Sequence, residues 1–231
     1  MDRAALIASF RKESGDRGVP AFWPEPDVSE FLDQGQNECA ERARLLPDKT
    51  TPAVTRIALV TGQREYRIHP KIFDVVGATI QRPGGARRWP VDLSSGDTVQ
   101  GIIDRSPNRS GWGERFYVYG SGNGEGTLGK FLVLDRAPTV NGGYLHLDVY
   151  RYPLEKLEDS DYPEIEPRYH PAMVHWACKV AYETRDMEYG ASDRSKFHEV
   201  EFEKLIGARH DATVMRKHLR HRAGRVRPAR F

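Results

Sequence analysis

The stretch 161–183, DYPEIEPRYHPAMVHWACKVAYE, constrains the fold of this chain more than any other segment. A proline pushes the residue before it out of the helical region, so Pro163 and Pro167 keep the approach extended. Pro171 suits the first turn of a helix, where its missing N–H is no loss. We therefore predict a helix that begins near His170 or Pro171.

The apolar residues of this helix recur at i, i+3, i+4, i+7 and i+8, which is typical of a helix with one buried face. A tryptophan within such a stripe buries on the order of 200 Å². Apolar surface from elsewhere in the chain must therefore cover it. The predicted buried stripe is Met173, Trp176, Ala177, Val180 and Ala181, and the predicted polar side is His175, Lys179 and Glu183.

Two further helices are predicted near the N-terminus. Residues 2–13 place three apolar side chains on one side, and GDRGVP then interrupts the pattern. Asp27 and Glu30 resemble a capping box at the start of the second helix, which carries Phe31 and Leu32 on its apolar face and ends at Pro47. A last helix is predicted from Ser192 to about Ile206.

Between residues 50 and 153 the pattern changes from helical spacing to alternation, which favours strands. Glycine, proline, asparagine and aspartate separate the strands. Residues 94–103 fit either a helical turn or a strand. The predicted strands are 54–60, 64–68, 73–80, 115–119, 130–134 and 144–150.

These patterns predict an α+β fold. Each end of the chain is too small to bury its apolar stripes alone, so we expect 1–49 and 154–206 to pack together as one helical bundle. Residues 50–153 would form an inserted antiparallel β-sandwich or barrel, and 207–231 an extended basic C-terminal tail. The predicted bundle core contains Phe31, Leu32, Met173, Trp176 and Val180.

Composition narrows the class of protein. A mean hydropathy of −0.64 and the absence of any long apolar run predict a protein without membrane spans. The first residues show no continuous apolar stretch of the kind a signal peptide needs. Cys39 and Cys178 each lie on a predicted core face, so we expect two reduced, buried thiols in a cytosolic product.

No motif in the chain argues for catalysis, a cofactor or a metal. The segment 124–130, GEGTLGK, matches a phosphate-loop pattern, but Phe131 stands where Ser or Thr would hold Mg²⁺, so a glycine-rich hairpin loop is the better interpretation. Among the eight histidines, His170 and His175 do not share a helix face, and His218 with His221 would supply only two ligands.

The tail has the clearest charge signal. Residues 207–231 contain eight Lys or Arg against one acidic residue, whereas 1–206 contain 27 basic and 32 acidic residues. Such a tail is typical of a disordered basic extension, of nucleic-acid binding, or of docking into an acidic protein groove. Val214, Met215, His218 and Leu219 fall near one helical face. These apolar anchors, with Val226 and Phe231, favour a protein partner over DNA alone.

The order of these features resembles the head-to-tail adaptor, or connector, proteins of tailed bacteriophages. Four segments carry the resemblance: 6–46, 61–80, 131–153 and 163–183. The resemblance implies a structural virion protein of the head–tail junction, made in the host cytoplasm. It implies a helical bundle with a β insertion, a homo-oligomeric ring of twelve, binding to the portal protein above and to tail or nozzle proteins below, and transient passage of genomic double-stranded DNA.

By the same resemblance the tail would be the portal-docking arm. The net-negative body, residues 1–206, would let DNA slide through the ring without binding to it. The basic arm would become ordered when it binds the portal. The alternative is a nucleic-acid-binding protein that uses the arm as its basic contact. The residues assigned to the arm are Met215, Arg216, Leu219, Arg220, Arg222, Arg225, Val226, Arg227, Arg230 and Phe231.

Overall fold

The structure, a computed structural model, describes residues 1–108, 110–122, 128–157, 162–184 and 191–208. These residues form a mixed α+β fold. Its six α-helices are α1 (Arg3–Ser14), α2 (Glu25–Ala43), α3 (Pro52–Thr55), α4 (Gly96–Arg105), α5 (His170–Thr184) and α6 (Ala191–Ile206). Its strands are β1 (Pro47–Asp48), β2 (Arg56–Leu59), β3 (Glu65–Arg67), β4 (Ile72–Gln81), β5 (Arg88–Leu93), β6 (Arg115–Gly122), β7 (Leu128–Leu134) and β8 (Gly143–Arg151).

Local signals set the ends of the first two helices. The Asp2 carboxylate accepts the N–H of Ala5 at 2.8 Å and caps α1. Helix α2 begins two residues before Asp27, with Pro26 in its first turn, so the predicted start is wrong. It also ends before Pro47, because Arg44 adopts a left-handed conformation with φ of 53°.

The strands form one curled mixed sheet, a half-barrel, in the order β1-β8-β4-β5-β6-β7-β3, with β2 also paired to β8. The predicted antiparallel sandwich or barrel is therefore confirmed only in part, because the sheet is a half-barrel and one of its strand pairs is parallel. Strands β5 and β6 run parallel, with Asp92 opposite Arg115 and Leu93 opposite Phe116. Parallel neighbours need a crossover connection, and here α4 provides it.

The segment 94–103, whose sequence fits either a helical turn or a strand, lies mostly in helix α4. Ser95 caps it, since the Ser95 hydroxyl accepts the N–H of Thr98 at 3.3 Å. Only Ala78–Gln81 of β4 pair with β5, so the first half of β4 does not pair with β5, and a cleft lies between it and β6.

Two separate apolar clusters lie within the fold. One fills the space between α1, α2, α5 and α6, and it holds Cys39 and Cys178 as buried free thiols. Burial raises the pKa of both thiols. The other fills the concave side of the sheet, with Phe116, Leu132, Leu145 and Leu147 among its buried members.

Candidate functional site

Helix α5 contacts each of the other long helices, and its side chains define how the two chain ends meet. Phe31, Leu32 and Met173 are buried in the shared core, whereas Trp176 and Val180 lie half-buried at its edge. The Trp176 ring lies 4.9 Å from the Phe202 ring.

Trp176 lies at the edge of the buried face of α5, and two cations cover its ring. The Arg42 guanidinium lies 5.0 Å from the Trp176 ring centre and also 5.0 Å from that of Phe202. The Lys179 ammonium lies 4.6 Å from the Trp176 ring centre. Arg42 further pairs with Glu38 at 2.6 Å, so its charge is neutralised within the helices.

Helices α2 and α5 approach closely at Gly35. A Cβ atom at this position would lie 2.7 Å from the Met173 carbonyl oxygen and 3.2 Å from the Met173 Cα. Since real Cβ contacts of this kind are essentially never below 3.0 Å, only glycine permits this approach. Gly35 therefore fixes the distance between the N-terminal and C-terminal helices.

A pair of histidines joins α5 to α6. The Nδ1 atoms of His175 and His198 lie 3.2 Å apart, and the His198 ring stacks on the Tyr182 ring. Burial, together with the charge that His175 gains on protonation, lowers the pKa of His198 to about 4. The buried His198 is therefore neutral near neutral pH.

Arg151 connects the sheet to the helical side of the molecule. Its guanidinium donates to Asp48 at 2.8 Å and to Glu164 at 2.7 Å. The Glu164 backbone N–H in turn donates to the Gln36 side chain of α2 at 3.1 Å. This chain of hydrogen bonds joins β1, β8, the segment before α5, and α2.

Asp48 is the most strongly held carboxylate of this junction. Burial acts to raise its pKa, but hydrogen bonds from the Thr51 and Thr50 N–H groups and from Arg151 lower the pKa to about 2. Asp48 is thus ionised at neutral pH.

The cleft between β4 and β6 has a volume of about 870 Å³. Its lining includes Phe73, Tyr117, Tyr119, Asp97 and Lys130. The Lys130 ammonium donates to the carbonyl oxygens of Ile72 and Phe73, at 2.9 and 3.3 Å, and burial lowers its pKa. Its hydrogen bonds hold the wall of the cleft.

The last three residues of the glycine-rich segment 124–130 belong to β7, which pairs antiparallel with β6. Residues 123–127 lie outside the described part of the chain. Lys130 sits in β7 and contacts β4 rather than opening a helix, which a phosphate loop requires. Across the described residues, no group of three or more His, Cys, Asp or Glu is arranged to hold a metal ion.

The β4–β5 hairpin carries an arginine and aromatic surface that the sequence interpretation missed. The Arg87 guanidinium lies 3.9 Å from the Trp89 ring centre, and Arg82 lies 5.1 Å from the same ring and 5.9 Å from the Trp112 ring. The signal is present in the sequence, because no acidic residue stands between Asp74 and Asp92.

The convex face of the same sheet end extends this surface. The Arg56 guanidinium lies 4.7 Å from the Tyr144 ring centre. Burial and the charges of Arg88 and Arg56 lower the pKa of His146, whose Nε2 lies 2.9 Å from the Gln81 side-chain oxygen. We call the set Arg56, Arg82, Arg87, Arg88 and Trp89 the arginine surface.

The residues assigned to the portal-docking arm lie outside the described residues, which end at 208. They are Met215, Arg216, Leu219, Arg220, Arg222, Arg225, Val226, Arg227, Arg230 and Phe231. None of the helices in the described ranges has both the length and the apolar character that a bilayer crossing requires.

Comparison with known proteins supplies the family. A model of the SU10 adaptor protein family matches residues 1–228, which is nearly the whole chain. No curated protein matches the chain. The match confirms the resemblance to phage head-to-tail adaptors that the order of the sequence segments suggests. The chain belongs to the SU10 adaptor protein family.

Proposed function

We propose that this phage adaptor is a non-enzymatic structural protein of the virion neck, made in the host cytoplasm, that forms a ring of twelve copies. The ring binds the portal protein on one side and tail or nozzle proteins on the other. It continues the channel through which genomic DNA leaves the head. The observation that carries this function is the family match across residues 1–228.

Within this function, residues 1–49 and 154–206 act as one helical bundle domain, and 50–153 act as an inserted β domain. The two separate apolar clusters support this division. The Arg151 hydrogen bonds to Asp48 and Glu164 hold the two parts together at their junction.

Residues 207–231 are the arm that docks on the portal. Eight basic residues against one acidic residue suit an acidic groove, where arginine side chains form bidentate pairs with carboxylates. Met215, Leu219, Val226 and Phe231 add the apolar contacts that make an arm specific.

Size-exclusion chromatography with light scattering tests the function. The full-length protein and a version that ends at Ile206, where α6 ends, are each run alone and with portal rings of the same phage. We expect only the full-length protein to add a stoichiometric ring to the portal. If neither form binds the portal, the adaptor function is refuted.

Charge reversal tests the arm within the intact chain. We expect the change of Arg220, Arg222, Arg225 and Arg227 to Glu to abolish portal attachment while the circular dichroism spectrum stays unchanged. The matched control reverses four exposed basic residues of the body: Arg17, Arg105, Arg168 and Lys196. Attachment by the arm variant would refute the docking role.

Nucleic-acid binding is the second candidate function, and the basic tail is the observation in its favour. It predicts that the isolated full-length protein binds duplex DNA with an affinity that falls steeply with salt. Binding of DNA without binding of the portal would replace the adaptor function by this one.

A further inference from the structure

The arginine surface carries charge that the described chain does not neutralise. Arg56, Arg82, Arg87 and Arg88 are all exposed, and none of them has a carboxylate within 4.0 Å among the described residues. Three of them lie over aromatic rings. A guanidinium that stacks on a ring keeps its in-plane N–H groups free to donate to an anionic partner.

Opposite charge is concentrated on the helical side. Helix α2 contains six acidic residues against one basic residue, and the sequence 155–166 likewise contains six against one. These two segments adjoin, because the Leu157 N–H donates to Asp33 of α2 at 2.9 Å. Asp27, Glu30 and Glu155 are exposed, and we call these three residues the acidic surface.

The two surfaces do not contact each other within one chain. The hairpin tip lies about 25 Å along β4 from Asp74, where an ion pair with Arg44 ties the sheet to the end of α2. Asp27 lies about 20 Å along α2 from Glu41, which accepts the Tyr152 hydroxyl. No hydrogen bond or ion pair between described residues joins the hairpin arginines to α2. The two surfaces therefore do not neutralise each other within one chain, and both remain accessible to another molecule.

We propose that the arginine surface of one copy docks on the acidic surface of the neighbouring copy, and that this contact forms the interface between subunits. This proposal rests on the proposed function, in which the copies form a ring, and it names the residues of the contact between neighbouring copies. Two different patches that complement each other make a head-to-tail contact, which is the kind that closes into a ring. Opposite charges set its register and suppress other contacts.

The composition of the arginine surface favours a second copy over nucleic acid. Arginine, tryptophan and tyrosine are the residues that most often carry the energy of protein interfaces, and here Trp89 is 38% exposed beside the arginines. A copy of this chain also supplies the acceptors, whereas duplex DNA would leave the acidic surface without a partner.

A charge swap on the full-length protein tests the pairing. Variant one carries Arg82→Glu, Arg87→Glu and Arg88→Glu, and variant two carries Asp27→Arg, Glu30→Arg and Glu155→Arg. Variant three combines all six changes, and a control carries Arg17→Glu, Arg105→Glu and Lys196→Glu. Ring formation is measured with and without portal rings by light scattering and negative-stain electron microscopy, and folding is checked by circular dichroism.

We expect variants one and two each to lower the fraction of chains in rings by roughly tenfold or more, because like charges then face each other. Variant three restores the opposite charges and should recover the rings. The control should assemble as the wild type does. This pattern supports the pairing. A folding defect cannot produce it, because variant three carries more substitutions than variant one and still forms rings.

Four outcomes overturn the pairing. Rings of variant one at the wild-type level show that the arginine surface lies outside the interface, and the proposed adaptor function survives. Loss of rings in variant one without rescue in variant three shows that the acidic surface is not its partner. If variant one forms normal rings but is the only variant that loses DNA binding, the arginine surface binds nucleic acid instead. A wild-type protein that stays monomeric even with portal rings refutes the adaptor function as well.

Discussion

Replacement of Gly35 by alanine is the sharpest test of how the two chain ends meet. The new Cβ would lie 2.7 Å from the Met173 carbonyl oxygen, and this oxygen belongs to a helix backbone that no rotamer change moves aside. Helices α2 and α5 must therefore separate by several tenths of an ångström. Overpacking of this kind costs about 1–3 kcal/mol.

The same substitution also brings a gain, because alanine is a better helix former than glycine by about 0.5–1 kcal/mol. We expect the net free energy of unfolding to fall by about 1–2 kcal/mol. Gly101 in α4 is the matched control, since a Cβ there meets nothing within 4 Å. Gly101→Ala should raise the free energy of unfolding by about 0.5–1 kcal/mol.

Urea denaturation followed by tryptophan fluorescence measures both variants, with thermal denaturation as a second probe. The two substitutions are chemically identical and both lie in helices, so opposite signs isolate the contact with Met173. A Gly35→Ala protein that is as stable as Gly101→Ala, or more stable, would refute the close packing of α2 on α5.

Two further predictions concern buried ionisable groups. Because the folded pKa of His198 is about 4 and the ordinary value is 6.5, the unfolded state binds more protons between these values. Stability should therefore fall by about 2 kcal/mol between pH 7.5 and pH 5, and His198→Gln should remove that part of the slope in urea titrations at the two pH values. An equal slope in the variant would contradict it. Asp48 has a folded pKa of about 2 against 3.8, so its contribution is full above pH 3.8 and is lost as the pH falls towards 2. Asp48→Asn should lower the free energy of unfolding by about 1–3 kcal/mol at pH 7. An unchanged denaturation midpoint would show that the junction around Arg151 does not depend on the Asp48 carboxylate.

The sequence predicts the elements whose signals are local. Pro171 and the apolar residues after it predict α5, which begins at His170. It predicts three residues of the buried face correctly, Met173, Ala177 and Ala181, but it also assigns Trp176 and Val180 to the core, because these two look like core residues by spacing alone. The Trp176 ring meets Arg42, and that residue comes from another helix. The spacing of apolar residues shows which side chains are hydrophobic. It does not show which aromatic rings are covered by long cationic side chains from elsewhere in the chain.

The sequence also does not predict that β5 and β6 run parallel. Pro90 interrupts the strand pattern of RRWPVDL, and residues 94–103 fit two structures. The hydrogen bonds from the Asp92 N–H to the Glu114 carbonyl and from the Ser94 N–H to the Phe116 carbonyl, both at 2.8 Å, show that α4 crosses between neighbouring parallel strands.

The site residues found only in the structure are brought together by tertiary packing. His175 and His198 are 23 positions apart and meet because α5 and α6 pack against each other. The four arginines appear in the sequence as parts of loops and strand ends. The hairpin and β8 bring them to one end of the sheet.

The shared core of the first and last helices also dictates when the protein can fold on the ribosome. Helices α1 and α2 are complete at Ala43, yet their partner α5 begins only at His170. At roughly 5–20 residues per second, synthesis of the intervening chain takes on the order of ten seconds. Throughout that interval Phe10, Phe31 and Leu32 lack the part of their core that α5 supplies, so this stretch of nascent chain is a natural substrate for chaperones, and the core closes only after α5 and α6 have been synthesised.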